Sequence, residues 1–327
     1  MSDFGAYSGR ELFEKEFPKR AWLVEGIIKE KDSVILVGDP KAGKSLLAFQ
    51  LICSMTSQHP FLDHHQVMKP CRVSYVQLEG ELVDSQDRFK RMSETLDIDP
   101  EMFQLIFSEP LALQSKEEAG KLIGMITKQH RPDVLVIDPA YFAMKGSLKD
   151  DERVRDFTGC LRLIKDFLGC AIILVHHTHK IKMDPWGNII DEGDQATFGS
   201  QFFSAWVDHL ILFAYDKKSN LRSLSCRTQR SGEIMENLRL RLVQPKPLYF
   251  EIADGNNTTL DTVLVNYFLR PENRMGKSAE VAMRELKIKK SSFYSSIKGP
   301  LNNGMLEKIA NVRPVVYKIS EKVLCQN

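Results

Sequence analysis

The chain has 327 residues, of which 43% are hydrophobic and 27% are charged, and this is ordinary for a globular protein of one large domain or two. Its formal net charge of +2 and its lack of a membrane-length apolar run or a signal-peptide pattern predict a cytoplasmic protein without membrane contact. The six cysteines are scattered without any C-x-x-C pair, which indicates neither a disulfide frame nor a zinc site.

Short apolar runs recur along the first part of the sequence and alternate with segments of helical length. The runs are residues 34–37, 73–78, 134–137, 171–175 and 210–214, and the helical segments are residues 46–56, 85–96, 116–130 and 151–168. Apolar strands that alternate with helices are typical of a mostly parallel sheet covered on both faces. The sequence therefore predicts an α/β domain whose ligands gather at the carboxyl ends of its strands.

Residues 38–45 match the pattern G-x-x-x-x-G-K-S between an apolar run and a helical segment. Gly38 and Gly43 allow consecutive N–H groups to surround a phosphate, and the start of the next helix adds unpaired donors. Lys44 is expected to reach the β and γ phosphates, and the Ser45 hydroxyl to bind Mg²⁺. The predicted ATP-binding residues are Gly38, Asp39, Pro40, Lys41, Ala42, Gly43, Lys44, Ser45 and Leu46.

Glu79 follows the apolar run 73–78, and Glu81 stands two residues later. A carboxylate at a strand end beside the phosphate-binding loop can orient or deprotonate a water molecule. We predict Glu79 as this base, with Glu81 as the alternative.

Asp138 ends the run 134–137, in the Walker B arrangement in which a carboxylate at a strand tip holds magnesium, usually through water. Asp followed by Pro139 is also ordinary turn chemistry. Given the upstream glycine loop, we predict Ser45 and Asp138 as the magnesium-binding residues. No glutamate follows Asp138, so the hydrolytic base has to come from elsewhere.

His176 and His177 follow the run 171–175. Zinc sites built from histidines usually need wider spacing and further ligands, so we do not predict a metal here. One of the two could sense the γ-phosphate through a hydrogen bond, or both could be buried polar side chains that fix the strand end.

Two glycine-containing loops, residues 141–150 and 180–198, follow strand tips on the predicted nucleotide side. Long loops in a compact domain are more often functional than inert. Their lysines, Lys145, Lys149 and Lys182, could contact the phosphodiester oxygens of single-stranded DNA without reading its sequence. Ordinary surface loops are the alternative, because acidic residues dilute the charge.

Arg227 and Arg230 lie three residues apart in a predicted hairpin. Arginine can stabilise the charge on a transferring phosphoryl group, and in ring ATPases a neighbouring subunit often supplies it. Both arginines could equally be solvated residues of an edge strand.

The pattern changes at Thr258, after which 12 Lys/Arg stand against 6 Asp/Glu, a balance of +6, compared with −4 before it. Three helical signals at residues 260–269, 278–286 and 291–302 precede candidate strands at 305–308 and 315–319. Three helices followed by a β-hairpin are the plan of a winged helix. We predict an ATPase domain with an N-terminal extension at 1–257 and a basic winged-helix domain at 258–327, which contacts duplex DNA or docks a protein.

Together these residues resemble the RecA-type ATPase core, and more narrowly the plasmid-encoded hexameric replicative helicases of the RepA type. The resemblance runs from residue 22 to residue 242, and its matching stretches are residues 38–45, 75–79, 134–138, 176–180 and 194–208. It implies that Glu79 is the catalytic base, Asp138 the magnesium ligand and His177 the phosphate sensor.

The resemblance also concerns Arg230, whose Arg-Ser-Gly is similar to the Arg-x-Gly of related hexameric helicases. It implies that Arg230 is an arginine finger that acts on a neighbouring subunit. Thr228 occupies the place where the wider family often carries a lysine, which leaves Arg227 as a substitute.

The implied assembly is a homo-hexameric ring with ATP and Mg²⁺ at each subunit boundary and single-stranded DNA in the central hole. The function that this implies is a DNA motor, a ring-forming replicative helicase. Two alternatives share the motifs: an ATP-switched DNA-binding regulator, and an ATPase that assembles a recombination or transposition complex.

Overall fold

A computed structural model describes residues 7–17, 19–108, 111–144, 146, 150–177, 181, 183, 189, 201–228, 237–253, 264–265, 267–268, 270–286, 288, 290–302, 304–309 and 314–320. The chain divides into two compact units, Met1–Asp254 and Gly255–Asn327. Among the described residues, no helix has the length and apolar character needed to span a membrane.

The first unit alternates strands and helices along most of its length. Its helices are α1 (Gly9–Glu14), α2 (Lys44–Ser57), α3 (Leu82–Met92), α4 (Lys116–Ile126), α5 (Asp151–Leu168) and α6 (Gln201–Trp206). Its strands are β1 (Trp22–Val24), β2 (Ile28–Lys29), β3 (Ser33–Gly38), β4 (Val73–Gln77), β5 (Phe103–Phe107), β6 (Val134–Asp138), β7 (Ala171–His177), β8 (His209–Asp216), β9 (Leu221–Thr228), β10 (Leu238–Val243) and β11 (Tyr249–Ile252).

A nine-stranded sheet forms the centre of this unit, in the order β11-β10-β9-β8-β3-β7-β6-β4-β5. The six strands from β8 to β5 in this order are parallel, and β9, β10 and β11 continue the sheet antiparallel. Successive side chains of a strand point to opposite faces. In β3, Val34 and Leu36 therefore join the hydrophobic cluster on one face, and Ile35 and Val37 join the cluster on the other. The predicted α/β class with a mostly parallel sheet is confirmed.

The parallel register brings the ends of four strands to one edge of the sheet. Gly38 at the end of β3 pairs with His177 at the end of β7, and Gln77 at the end of β4 pairs with Asp138 at the end of β6. Residues far apart in the sequence thus become neighbours at the edge where ligands of such sheets bind.

One side chain joins α2 to the edge strand β11. Gln50 donates its Nε2 to the carbonyl oxygen of Phe250 over 2.8 Å and accepts the Phe250 N–H at its Oε1 over 2.7 Å. An edge strand exposes backbone groups that lack a ladder partner, and a buried group of this kind needs one from elsewhere. Gln50 is buried and supplies it.

Two helices of the first unit end earlier in the structure than the sequence predicts. The segment predicted at 85–96 is α3, which begins three residues earlier and ends at Met92, and the segment predicted at 116–130 ends at Ile126. Beyond α3 the apolar pattern continues into the next turn, because Leu96 still packs against the core. Periodicity therefore overestimates where α3 ends.

The second unit contains β12 (Lys277–Ser278), α7 (Ala279–Leu286), α8 (Lys290–Ser296), α9 (Lys298–Asn302), β13 (Leu306–Lys308) and β14 (Val316–Ile319). Its three strands form an antiparallel sheet in the order β12-β14-β13. Phe268, Phe293 and Tyr317 pack in its core, with the Phe293 and Tyr317 rings 5.7 Å apart. The winged-helix assignment of residues 258–327 stays a prediction.

Candidate functional site

The glycine loop connects the end of β3 to the start of α2. A Cβ added to Gly38 would stand 2.1 Å from the carbonyl oxygen of Phe213 in β8, so no side chain fits there. Gly43 has a φ of +101°, a left-handed conformation that favours glycine, where the loop turns into the helix. The two glycines of the motif are therefore required for different reasons, the first by packing and the second by backbone conformation.

The other residues of the loop have distinct surroundings. Pro40 and Lys41 line an open cleft, whereas Ala42 is buried and Leu46 packs against the hydrophobic core. The Asp39 carboxylate accepts the backbone N–H of Ile181 over 2.9 Å. This contact holds the chain just beyond β7 against the loop.

Lys44 turns back onto the loop from which it extends. Its Nζ donates to the carbonyl oxygens of Gly38 and Asp39 over 2.9 and 2.8 Å. Burial lowers the pKa of Lys44 to about 8, and the carboxylates of Asp138, Asp39 and Glu79 oppose that shift. The ammonium group is thus held among oxygen acceptors at the carboxyl end of the sheet.

Asp138 lies almost fully buried at the tip of β6, at the floor of the cleft. The Tyr75 hydroxyl donates to its Oδ2 over 2.5 Å, and the Ser45 side chain lies beside the carboxylate. Burial raises the pKa of Asp138, while the Tyr75 hydrogen bond, the Ser45 side chain and the positive charge of Lys44 oppose the shift.

Glu79 lies just beyond β4 and lines the same cleft. Its carboxylate accepts the Tyr141 hydroxyl over 3.3 Å, and its backbone carbonyl accepts Nε2 of Gln77 over 2.9 Å. Gln77 is itself held by the Ser85 hydroxyl, which donates to its Oε1 over 2.6 Å. Glu81 precedes α3, is exposed and does not line the cleft.

The two histidines at the end of β7 face different surroundings, since successive strand residues point to opposite faces. His177 lines the cleft with its ring 5.8 Å from that of Tyr141, whereas His176 is buried with its ring 6.2 Å from that of Phe203. Burial and the positive charge of Lys44 lower the pKa of His177, and burial followed by His177 and Lys44 lowers the pKa of His176 to about 4. Both rings are therefore neutral near pH 7.

The cleft between the glycine loop and α3 has a volume of about 620 Å³. Phe49 and Arg88 also line the cleft, although no motif of the sequence includes them. Arg88 projects from α3 and adds a cationic side chain to the cleft that Lys41 also lines. Arg88 lies on the helix that follows Glu79, three residues after Ser85 and therefore on the same helix face. This position is the signal in the sequence that could have indicated Arg88.

The residues at the floor of the cleft fit a magnesium ion. Mg²⁺ prefers oxygen ligands and usually keeps several waters, so it takes one or two protein side chains together with substrate phosphates. The Ser45 hydroxyl and the Asp138 carboxylate form such a pair beside an open cleft.

Several predicted residues lie outside the described part of the chain. These are Arg230, Lys145, Lys149 and Lys182, together with residues 178–180 and 194–200 of the matching stretches. Arg227 lies in β9 and pairs with Leu210 of β8. The role of either arginine as a finger stays a prediction.

A glycine loop whose lysine and serine meet a buried aspartate and a glutamate at the carboxyl ends of parallel strands defines a P-loop ATPase with a mostly parallel α/β core. The sequence profile of a family described as AAA domain matches residues 8–183, and the chain belongs to this family.

Two solved structures are similar to this one. One is a KaiC-like protein from the hyperthermophilic archaeon Pyrococcus horikoshii OT3, with a TM-score of 0.45 and 16% identity, covering 71% of this chain and 93% of that one. The other is the RadB recombinase, with a TM-score of 0.46 and 16% identity, covering 69% of this chain and 92% of that one. No curated protein matches the sequence.

Proposed function

We propose that this chain is a ring-forming, ATP-hydrolysing motor that translocates on single-stranded DNA, in the manner of a replicative helicase. The observation that carries the proposal is the convergence of Lys44, Glu79, Asp138 and His177 around one cleft at the carboxyl edge of the sheet. A site for binding alone needs no carboxylate held beside the phosphate loop, whereas hydrolysis needs one to prepare water.

In this proposal Lys44 exchanges the Gly38 and Asp39 carbonyls for the β and γ phosphates. Glu79 takes a proton from the attacking water, and hydrogen bonds from Tyr141 and Gln77 hold Glu79 in position. His177, neutral and at the cleft wall, responds to the γ-phosphate through a hydrogen bond.

Ser45 and Asp138 would hold the magnesium ion, which when bound neutralises charge on the phosphates. Arg88 provides a further positive charge for the transferring phosphoryl group from the same subunit. The remaining cation would be Arg230 from a neighbouring subunit, with Arg227 as the alternative.

The resemblance to hexameric helicases is the basis for three parts of this proposal: the ring, the DNA in its central hole and the arginine finger. Lysines of the loops 141–150 and 180–198 would contact the DNA backbone, whose recognition depends on charge rather than on base sequence.

One observation favours a second candidate, an ATP-switched DNA-binding regulator. The second unit is basic, and Lys290, Tyr294 and Lys298 are exposed on α8 and α9. A winged helix with such a surface would contact duplex DNA. An ATPase that assembles a recombination or transposition complex shares these features and differs in its partner.

Turnover and unwinding distinguish these candidates. We expect single-stranded DNA to raise the ATP turnover of the wild type, and Lys44→Ala and Glu79→Ala to abolish it. Strand displacement on a forked duplex supports the helicase, whereas a protected duplex site without displacement supports the regulator. Turnover that no nucleic acid changes would overturn the motor proposal.

Mixing experiments test the finger. An Arg230→Ala subunit keeps its glycine loop, and a Lys44→Ala subunit keeps its arginine, so a mixture should regain turnover if Arg230 acts across the boundary. The same mixture with Arg227→Ala tests the alternative. Mass photometry with a non-hydrolysable ATP analogue and Mg²⁺ reports the size of the ring.

A further inference from the structure

Tyr75 is fully buried inside the sheet, yet its hydroxyl reaches the magnesium-binding edge. It lies in β4 two residues before the end of the strand and pairs in register with Val136 of β6, whereas Asp138 pairs with Gln77. Two strand residues span about 6.6 Å, and the phenol ring covers this distance along the sheet. Its hydroxyl thereby meets Oδ2 of Asp138 at 2.5 Å.

Neighbouring aromatic rings fix the direction of this side chain. Phe49 of α2 packs edge-on against the Tyr75 ring at 4.9 Å, and Phe89 of α3 packs against Phe49 at 4.2 Å. Phe103 continues the row, 4.8 Å from Phe89. Because Tyr75 is only 1% exposed, its ring is enclosed and its hydroxyl has a defined position.

We infer that Tyr75 is a positioning residue for Asp138: its hydroxyl holds one carboxylate oxygen so that the other is presented to Mg²⁺ beside Ser45. This inference rests on the proposed role of Asp138 as the magnesium ligand. From the sequence, Tyr75 is an aromatic residue of the core. The inference gives it a part in metal binding. Partners that orient a metal ligand are commonly worth about 10–100-fold in metal affinity.

If Tyr75 had only a packing role in the core, this would explain the burial of its ring but not the contact of its hydroxyl with a carboxylate. Tyr75→Phe separates the two roles, since it retains the ring and its packing and removes only the donor. The structure offers a control in Tyr215→Phe, which removes a hydroxyl that donates to Asn220 outside the cleft.

The test is a magnesium titration of the binding of a fluorescent, non-hydrolysable ATP analogue to the full-length protein. We expect Tyr75→Phe to raise the half-saturating Mg²⁺ concentration about tenfold, with wild-type binding at saturating Mg²⁺. Tyr215→Phe should leave that concentration within twofold of the wild type. A Tyr75→Phe value within twofold of the wild type would overturn the inference.

A double-mutant cycle shows whether Tyr75 acts through Asp138. Asp138→Asn should raise the half-saturating Mg²⁺ concentration, and adding Tyr75→Phe should then have no further effect. Independent, multiplicative effects would contradict the inference. Failure of the proposed magnesium site itself would look different, because the wild type would then bind the analogue without any dependence on Mg²⁺.

Discussion

The ammonium group of Lys44 donates to the carbonyl oxygen of Gly38 over 2.9 Å, and both residues belong to the same loop. The lysine thus satisfies the loop's own backbone, together with the Asp39 carbonyl at 2.8 Å. A phosphate can replace these acceptors through rotation of one side chain, while the conformations at Gly38 and Gly43 stay as they are. The loop is therefore already shaped for its ligand, and Lys44 is the group that has to move.

Glu79 and Glu81 give a matched pair of variants for the catalytic base. Glu79→Gln keeps the size of the side chain in the cleft but removes the base, so we expect ATP turnover to fall about 10²–10⁴-fold with nucleotide affinity retained. Glu81→Gln should turn over ATP at close to the wild-type rate, because Glu81 is exposed outside the cleft. Steady-state turnover and equilibrium binding of a labelled nucleotide check both. The opposite result for the pair would transfer the role to Glu81.

Gly38→Ala should destabilise the fold and not only weaken nucleotide binding. The new Cβ would stand 2.1 Å from a backbone oxygen of β8, and a backbone atom inside a sheet cannot move aside cheaply. We expect a loss of about 1–3 kcal/mol or more in the free energy of unfolding, measured in urea. Gly120→Ala is the control: nothing lies within 4 Å of its added Cβ, and alanine favours the helix by about 1 kcal/mol.

Gln50→Leu should loosen the edge strand β11. The substitution leaves the N–H and carbonyl of Phe250 without the partners that Gln50 provides, at a cost of about 1–3 kcal/mol for a buried unpaired group. Gln86→Leu on the exposed face of α3 should change stability by less than about 0.5 kcal/mol. Urea unfolding measures both, and hydrogen exchange of the Phe250 amide should rise in Gln50→Leu alone. Equal stabilities for the two variants would show that the Gln50 contacts are unimportant.

His65 makes the stability of the first unit depend on pH. Burial, followed by the charge of His64, lowers the pKa of His65 from 6.5 to about 4, and a contact with the Glu25 carbonyl opposes the shift. Because folding lowers the pKa of His65, the neutral ring contributes fully to the free energy of unfolding above pH 6.5. This contribution to stability is lost as the pH falls towards 4. The limit is about 3 kcal/mol, from about 1.4 kcal/mol per pKa unit.

His65→Gln should remove that part of the acid sensitivity. We expect its free energy of unfolding to fall less than that of the wild type between pH 7 and pH 4.5. His64→Gln, at an exposed position, should keep most of the wild-type slope. Parallel slopes for His65→Gln and the wild type would show that His65 is not the group responsible.

The sequence by itself determined the glycine loop and the α/β class. A phosphate loop is encoded in consecutive residues, because the conformation of Gly43 and the placement of Lys44 and Ser45 are local properties of the chain. Buried strands likewise show as apolar runs wherever both faces of the sheet are covered. The strands β5 and β11 were missed, because a short edge strand is only partly buried and carries a weak pattern.

Only the tertiary structure decided which side chains meet around the loop. Tyr75 and Asp138 are 63 residues apart and Gln50 and Phe250 are 200 apart, and no local pattern relates the members of either pair. The placing of His177 rather than His176 at the cleft, and of Arg88 inside it, follows from strand register and helix packing. These are set by the way the whole sheet buries its two faces, which is a property of the folded chain and not of any single segment.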